Sequence, residues 1–412
     1  MLSARGWRAV VARASAAQDR PTGTGNALSE HAAPLTTARA ATPLTLLWVD
    51  EHLPDPGRDS GSLRMFNLLR LLVAMGHSVD VLATSGRDNA QQRRLTAIGV
   101  GCIIPEDSGG PARWFLRWGD RYAAVIVSRY HLANQWFPLI RHVRPDARKV
   151  LDTVDLHHVR ELREAELRGS RLMRLAARAT RRRELNAVRA ADVTWVVSEV
   201  ERRMLATTAP DARVEVISNV HDLPSRAPRP GSGAHLVFVG GAQHPPNADG
   251  VSWLLTDILP RILHRLPHCR LHLVGQGLED CAGGSASHPH VVFHGRIEDL
   301  GELFASCHVG LAPLRFGAGV KGKINHYMAF GLPTVATPSA VEGMHLEDGR
   351  DVIIASDAVA FADAVVRLLD DPVLWSDLSL AGQENVRRHF SMESAAPGLR
   401  STFEHCGRAL AH

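Results

Sequence analysis

The chain has 412 residues, and at about 100–200 residues per domain that length predicts two domains and excludes a single small module. A composition of 45% hydrophobic and 22% charged residues excludes a disordered chain, and a formal net charge of +4 is too weak to imply nucleic acid as a partner. No apolar run approaches the ~18–20 residues that span a bilayer, and the five cysteines form no Cys-x-x-Cys pair, which excludes a zinc ribbon or disulfide framework and fits a reducing, cytoplasmic compartment.

Residues 1–43 show no helix or strand period and no acid before Asp19. They read as a disordered leader or an over-long start, with a transit-peptide composition as the other reading. From Leu44 a β-then-α alternation begins. LTLLWV (44–49) is a strand-length apolar run, followed by a glycine-containing loop and a helical stretch, MFNLLRLLVAM (65–75), that stops at Gly76. Further strands are predicted at VDVLA (79–83), GCII (101–104), AAVIV (123–127), KVLD (149–152), VTWVV (193–197) and VEVI (214–217). Runs apolar on both faces with helices between them indicate a parallel sheet covered by helices.

DLPSRAPRPGSGA (222–234) breaks any regular element and reads as a linker. The pattern then restarts at HLVFVG (235–240), RLHLVG (270–275), VVFHG (291–295), HVGLAPL (308–314), PTVAT (333–337) and DVII (351–354), with a helix predicted over 251–266. The expected organisation is a leader (1–43), a first Rossmann-like domain (44–225), a second (233–390), and a C-terminal helix (391–412) packing back on the first. In such doubly wound α/β folds, ligands bind at the carboxyl ends of the strands.

Only three of the 47 basic residues are lysine, and two of the three, Lys321 and Lys323, sit two residues apart. They fall in LAPLRFGAGVKGKINHYMAFGLP (311–333), where a strand runs into a loop carrying Gly317, Gly319 and Gly322 and a helix is predicted from about Ile324. Glycines let backbone amides approach a ligand, and a helix N-terminus favours anions. Two ammonium groups added to such a loop make a diphosphate site; a lysine pair on a solvated helix start is the plainer reading.

This segment, together with FVGGAQHPPNADGVSWL (238–254), GRDSGSLRMFNLLRLLVAMGHSVDVLA (57–83), LDTVDLHHVRELREAE (151–166), ADVTWVVSEVE (191–201) and VISNVHD (216–222), resembles the retaining GT-B glycosyltransferases of the large family 4 type. The resemblance runs over about 44–405 and implies an α/β GT-B fold, two doubly wound Rossmann-like domains facing each other across a cleft. It implies a nucleotide-diphosphate sugar as donor and a saccharide or lipid-linked glycan as acceptor, with no metal and no further cofactor. Carried onto matching positions, it implies diphosphate contacts at Lys323 and in the loop of Gly319, Lys321 and Gly322. It further implies donor contacts at Gly241, Glu342 and Gly343, a closing loop around Gly61, and Asp155 and His157 pointing into the cleft, where Asp155, His157 and Lys323 are the candidate catalytic residues. Where the family usually has a glutamate for the nucleotide ribose, this chain has His326. Neutral imidazole offers one acceptor nitrogen where a carboxylate takes both hydroxyls. The loss could weaken donor binding about 10- to 100-fold, and a catalytically degenerate scaffold that binds a glycan or a partner is the alternative function.

Two weaker signals remain. Nine arginines lie between Arg160 and Arg183. They read as a solvated helix with Glu–Arg pairs, or as a basic helix resting on anionic lipid at the inner membrane face. Trp114, Trp118 and Trp136 read as core packing, or as an acceptor surface. No G-x-G-x-x-G fingerprint is present, which argues against a nicotinamide enzyme. A hydrolase or epimerase of the same fold would need an acid/base pair that the sequence does not place.

Overall fold

The computed structural model describes residues 42–85, 88–105, 109–224, 234–282, 288–404 and 406. The expected leader, apart from residues 42–43, and most of the expected linker lie outside the described residues.

Two parallel sheets organise the chain. The first has the order β3-β2-β1-β4-β5-β6-β7, built from β1 (Thr45–Asp50), β2 (Ser78–Ala83), β3 (Gly101–Ile103), β4 (Ala124–Ser128), β5 (Arg148–Asp152), β6 (Val193–Val196) and β7 (Val214–Val216). The second has the order β10-β9-β8-β11-β12-β13, from β8 (His235–Val239), β9 (Arg270–Val274), β10 (Val291–Phe293), β11 (Val309–Ala312), β12 (Thr334–Ala336) and β13 (Ile353–Ile354). The strand order reverses between β1 and β4 in one sheet and between β8 and β11 in the other. Those two reversal points are where crevices open at the carboxyl ends of the strands.

The alternation of side chains decides the layering. Leu46, Trp48, Ala124 and Ile126 join the core on one face of the first sheet, while Leu47, Val49, Val125 and Val127 join the core on the other. Both faces are therefore buried under helices, as the continuous apolar runs require. Trp114 and Trp136 are buried in the second of these cores and Trp118 packs against it, so the three tryptophans form interior rather than an acceptor surface.

Element ends differ from the sequence reading for identifiable reasons. The helix expected over 65–75 is α1 (Ser60–Ala74). Its apolar stripe begins late, but Asp59 caps it earlier by accepting from the Ser62 amide at 2.7 Å. The helix expected over 251–266 is α2 (Pro245–Trp253), a wide turn at Leu254–Ile258, and α3 (Leu259–Arg265). Pro260 has no amide to donate, and the wider turn accommodates the break in the ladder.

The helix Met392–Phe403 lies on the first sheet, not the second. Met392, Ala395, Ala396, Leu399 and Phe403 complete the core of Leu46 and Trp48, and Trp195 Nε1 donates to Thr402 Oγ1 at 2.9 Å. The preceding helix, Pro372–His389, buries Trp375, Leu378 and Val386 in the second domain. Consecutive C-terminal helices thus belong to opposite lobes and tie them together.

One ion pair underlies the first lobe's rim. Arg64 of α1 and Asp152 at the end of β5 are 2.7 Å apart, each only 1% exposed. Arg64 also donates to the Ile217 carbonyl at 2.8 Å and the Ser218 carbonyl at 3.3 Å. Removing one partner of such a pair leaves a buried charge unanswered. Arg64→Ala should therefore lower unfolding stability by about 3–5 kcal/mol, read from urea denaturation followed by circular dichroism.

Candidate functional site

Both crevices open towards each other. On the first lobe, a small polar recess lies at the β1/β4 reversal point, lined among others by Asp50, Arg58, Gly61, Ser62, Arg129 and Asp152. Arg129 Nη1 meets Asp50 Oδ1 at 2.6 Å, so the wall alternates cation and carboxylate. Two non-glycine residues here adopt left-handed backbone, Arg129 and Val154, both with φ of 64°. A β-branched residue rarely holds that conformation, and such strain concentrates at binding loops.

The loop after β5 carries Asp155 and leads into α4 (His157–Leu167). The start of α4 is capped from a distance. Glu184 accepts from the His157 amide at 2.8 Å and the His158 amide at 3.0 Å, and it also bonds the His158 ring. Burial pulls the Glu184 carboxyl upward, but the His157 and His158 donors outweigh it and hold the pKa at about 2. His157 Nδ1 lies 3.3 Å from Asp155 Oδ1 and 3.5 Å from Glu184 Oε1. Burial alone would lower the imidazole pKa; Glu184 and Asp155 overcome that and raise it. Asp155 shows the converse. Burial pushes it up, while its partner Arg160 and then His157 bring it below the ordinary carboxylate value.

On the second lobe, the glycine loop enters α5 (Gly322–Ala329), whose first turn has no side-chain cap. The backbone at Gly319 presses on the first lobe. A Cβ there would stand 3.1 Å from Asp155 Cβ and 3.2 Å from Val197 Cγ2, and φ of 66° also favours glycine. A Cβ at Gly322 would collide with Ser60 at the start of α1, and one at Gly343 would fall 2.7 Å from Ser198 Cβ. The two lobes are therefore in contact along this loop.

Neither lysine faces bulk solvent. Lys321 is buried, and its Nζ donates to the Gly319 carbonyl at 2.6 Å and the Ala318 carbonyl at 3.2 Å. Lys323 Nζ donates to Asn247 Oδ1 at 2.5 Å and sits 4.1 Å above the Phe238 ring. Burial, with Lys321 adding like-charge repulsion, brings the Lys323 pKa down to about 7. Burial brings Lys321 to about 8, against the opposing pull of Glu342. His244, in the loop after β8, is lowered to about 4 by burial and then by Arg160 and Lys323, so it is neutral. In the same loop Gly241 uses its carbonyl to accept from Asn247 Nδ2 at 3.0 Å.

Glu342 does not face an open cleft. Arg163 of α4 grips it with two bonds of 2.6 and 2.9 Å and also donates to the Gly317 carbonyl at 2.7 Å. His326 packs edge-on against Phe304 at 5.2 Å, with Phe330 at 5.3 Å and His221 at 6.0 Å. Burial holds it at about 4, against a small opposing pull from Asp299.

Several groups here were not singled out by sequence reasoning: Arg160, Arg163, Glu184, Glu201, His244 and Asn247. Glu201, 3% exposed, accepts from the Leu156 and Val197 amides at 3.1 and 3.2 Å and so fixes two cleft loops at once. Burial pushes its pKa up to about 7. Arg160 and Arg163 were hidden in an arginine-rich block. Their three-residue spacing, which puts both on one helix face beside Asp155, was the available signal.

Comparisons with known proteins bear on the fold that carries these residues. Residues 233–371 match the family described as Glycosyl transferases group 1. The chain is 33% identical over 206 residues to a phosphatidyl-myo-inositol mannosyltransferase of Mycobacterium leprae, covering 47% of this chain and 54% of that protein. It is 30% identical over 170 residues to the protein of that name in Mycobacterium tuberculosis, covering 39% and 44%. The chain thus spans about half the length of the curated relatives it matches. Among solved structures it superimposes on sucrose-phosphate synthase from Thermosynechococcus elongatus (TM-score 0.68, 17% identity, 89% of this chain and 100% of that one). It also superimposes on S. aureus TarM (0.71, 10%, 88% and 99%) and on Anabaena HepE bound to UDP-glucose (0.66, 14%, 87% and 99%). The fold is GT-B: two parallel-sheet α/β domains whose strand ends face each other across a cleft.

Proposed function

We propose that the protein is a glycosyltransferase of the retaining family 4 type, moving a sugar from a nucleotide diphosphate to a saccharide or lipid-linked glycan. One observation carries this reading. Two lysines, at a helix start with no side-chain cap, are withdrawn from water between the lobes. Lys323 has no carboxylate partner among the described residues, and the Glu342 carboxylate near Lys321 is already held by Arg163, so this helix start has room for the charge of a diphosphate. Support also comes from the group 1 match over the second domain and from the relatives' name, mannosyltransferase.

In this reading the diphosphate lies against the amides of Gly322 and Lys323, with the two ammonium groups taking the charge that grows as the sugar departs. That charge is met without a metal ion. The acceptor occupies the recess beside Asp50 and Arg129, whose alternating charges suit a ligand rich in hydroxyls, and it attacks from the face the leaving group vacates. The departing diphosphate takes the acceptor proton, so no protein nucleophile is used. His157, held between Asp155 and Glu184, donates to a sugar hydroxyl. Lobe contact at Gly319 aligns the partners and keeps water out. His326 meets the nucleotide ribose as a neutral ring within an aromatic cluster.

Calorimetry with a panel of nucleotide-diphosphate sugars, UDP-glucose included, tests the donor site. Lys323→Ala should weaken binding of the preferred donor about 10- to 100-fold, and equal affinity in the two proteins would refute the contact. Transfer should persist in excess chelator.

The pH dependence has a defined sign. A sugar diphosphate does not titrate between pH 6 and 9, and binding favours the charged lysine, so its pKa rises and a proton is taken up. Affinity should be greatest below about pH 7 and fall as pH rises through the Lys323 value. A loss of about 10-fold between pH 6.5 and 8.5 is expected, largely abolished in Lys323→Ala.

His326→Glu tests whether the histidine marks a decayed site. A carboxylate there would be desolvated against Phe304 and Phe330 and repelled by Asp299. The expected result is a lower melting temperature with no gain of transfer.

A further inference from the structure

The strongest unabsorbed feature is a helical hairpin that leaves the cleft rim. Its first arm is α4, which starts at His157 beside the cleft. Its second is α6 (Arg171–Ala190), capped by Ser170, whose Oγ accepts from the Met173 amide at 3.3 Å. Between them Gly169 turns the chain with φ of 63°. The base of α6 is anchored by Leu185, Ala187 and Val188 in the first lobe's core. The tip carries Leu167, Leu172 and Leu175, which are 44%, 78% and 60% exposed and make up half of the large exposed hydrophobic residues among those described.

Charge is concentrated on the same tip. From Leu167 to Arg183 there are seven arginines and no acidic residue, in a chain whose net charge is only +4. Arg168 pairs with Glu164 at 2.9 Å. The other six, Arg171, Arg174, Arg178, Arg181, Arg182 and Arg183, are exposed and have no ion-pair partner among the described residues. A helix face kept in water ordinarily pairs such charges with carboxylates three or four positions away. This one repels itself and also exposes leucine. At 100° per residue, Leu172, Leu175 and Ala179 form an apolar edge flanked by Arg171, Arg178 and Arg182 on one side and Arg183 on the other, opposite the face that Ala177 and Val188 bury.

We infer that this hairpin tip docks on an anionic lipid surface, with the guanidinium groups among acidic headgroups and Leu167, Leu172 and Leu175 entering the headgroup–acyl boundary. Both halves of the match are needed. Acidic headgroups answer the arginines, and the acyl boundary takes up the leucines. The geometry gives the contact a use. His157 and Leu167 are ten residues apart on α4, so the cleft mouth stands roughly 15 Å above a surface touched by the tip. A lipid-linked acceptor is then within reach of the recess. That use rests on the transferase reading; the docking surface does not.

Sedimentation of the full chain with vesicles tests it. Binding is expected to phosphatidylcholine vesicles containing about 30% phosphatidylglycerol and to be lost on pure phosphatidylcholine, with affinity falling steeply between about 0.1 and 1 M salt. Arg171→Gln, Arg174→Gln, Arg178→Gln and Arg182→Gln together should weaken partitioning about 100-fold or more. Leu172→Ser with Leu175→Ser should weaken it about 10-fold and leave the salt dependence in place. A Leu172→Trp probe should shift its emission to the blue on anionic vesicles. All positions changed are exposed, and unaltered melting temperatures certify the fold. Equal binding of wild type and the arginine variant, or equal binding to both vesicle types, overturns the inference. Tight binding to polyglutamate with no blue shift on vesicles would instead assign the tip to an acidic protein. Nucleotide-sugar calorimetry on the same variants keeps the two readings apart, since failure there leaves vesicle binding intact.

Discussion

The structure is organised around a cost: two ammonium groups are taken out of water at one helix start. Burial, joined by the like charge of Lys321, works against the charged form of Lys323 and pulls its pKa down to about 7. A fold does not keep such a group for stability, because a hydrophobic residue of similar volume would pack there without that penalty. Nor is it a default of composition. This chain uses arginine almost everywhere else, and arginine offers a wide planar fork where these two positions carry a compact ammonium. The loop carbonyls of Ala318 and Gly319 hold Lys321 in the meantime.

The lobes meet on polar groups that cross the cleft. Arg163 holds Glu342, Arg296 holds Asp55 at 2.6 Å, and Asn219 donates to the Val320 carbonyl at 3.3 Å. Val197 packs with the second lobe's core although it follows β6 of the first. Contacts of this kind are directional and partly hydrated, so they fix a closed register without the permanence of an apolar interface. Arg163 is the economical element. It leaves the same helix that starts at His157, so one helix of the first lobe carries both His157 at its start and the grip on Glu342 of the second lobe.

Much of the fold was legible in sequence because parallel strands buried on both faces leave uninterrupted apolar runs, and these recur on either side of 222–234. Helix starts were less so: Asp59 and Ser60 carry no apolar signal, and only the cap marks where α1 begins. In the candidate site, the lysines and glycines stood out because they depart from local composition. Glu184, Glu201 and His244 did not. Their roles depend on contacts with residues far along the chain, Glu184 with His157 and Glu201 with Leu156, and no spacing rule encodes such pairs. Glu342 was legible as a residue but not in its partner, since Arg163 lies 179 positions away.

The arginine-rich block shows how one segment divides its labour by helical phase. Arg160 and Arg163 turn inward, to Asp155 and Glu342, and have their charges answered within the protein. From Arg171 onward the partners stop while the charges continue, and leucines take the outward positions that glutamates hold earlier in α4. A solvated helix would keep its acids throughout. The switch occurs at the turn of the hairpin, where the chain leaves the shelter of the first lobe. The same rigid element is thus polar and satisfied where it meets the cleft, and cationic and apolar where it projects. Those are the properties that the proposed docking requires of an element joining the cleft rim to a charged interface.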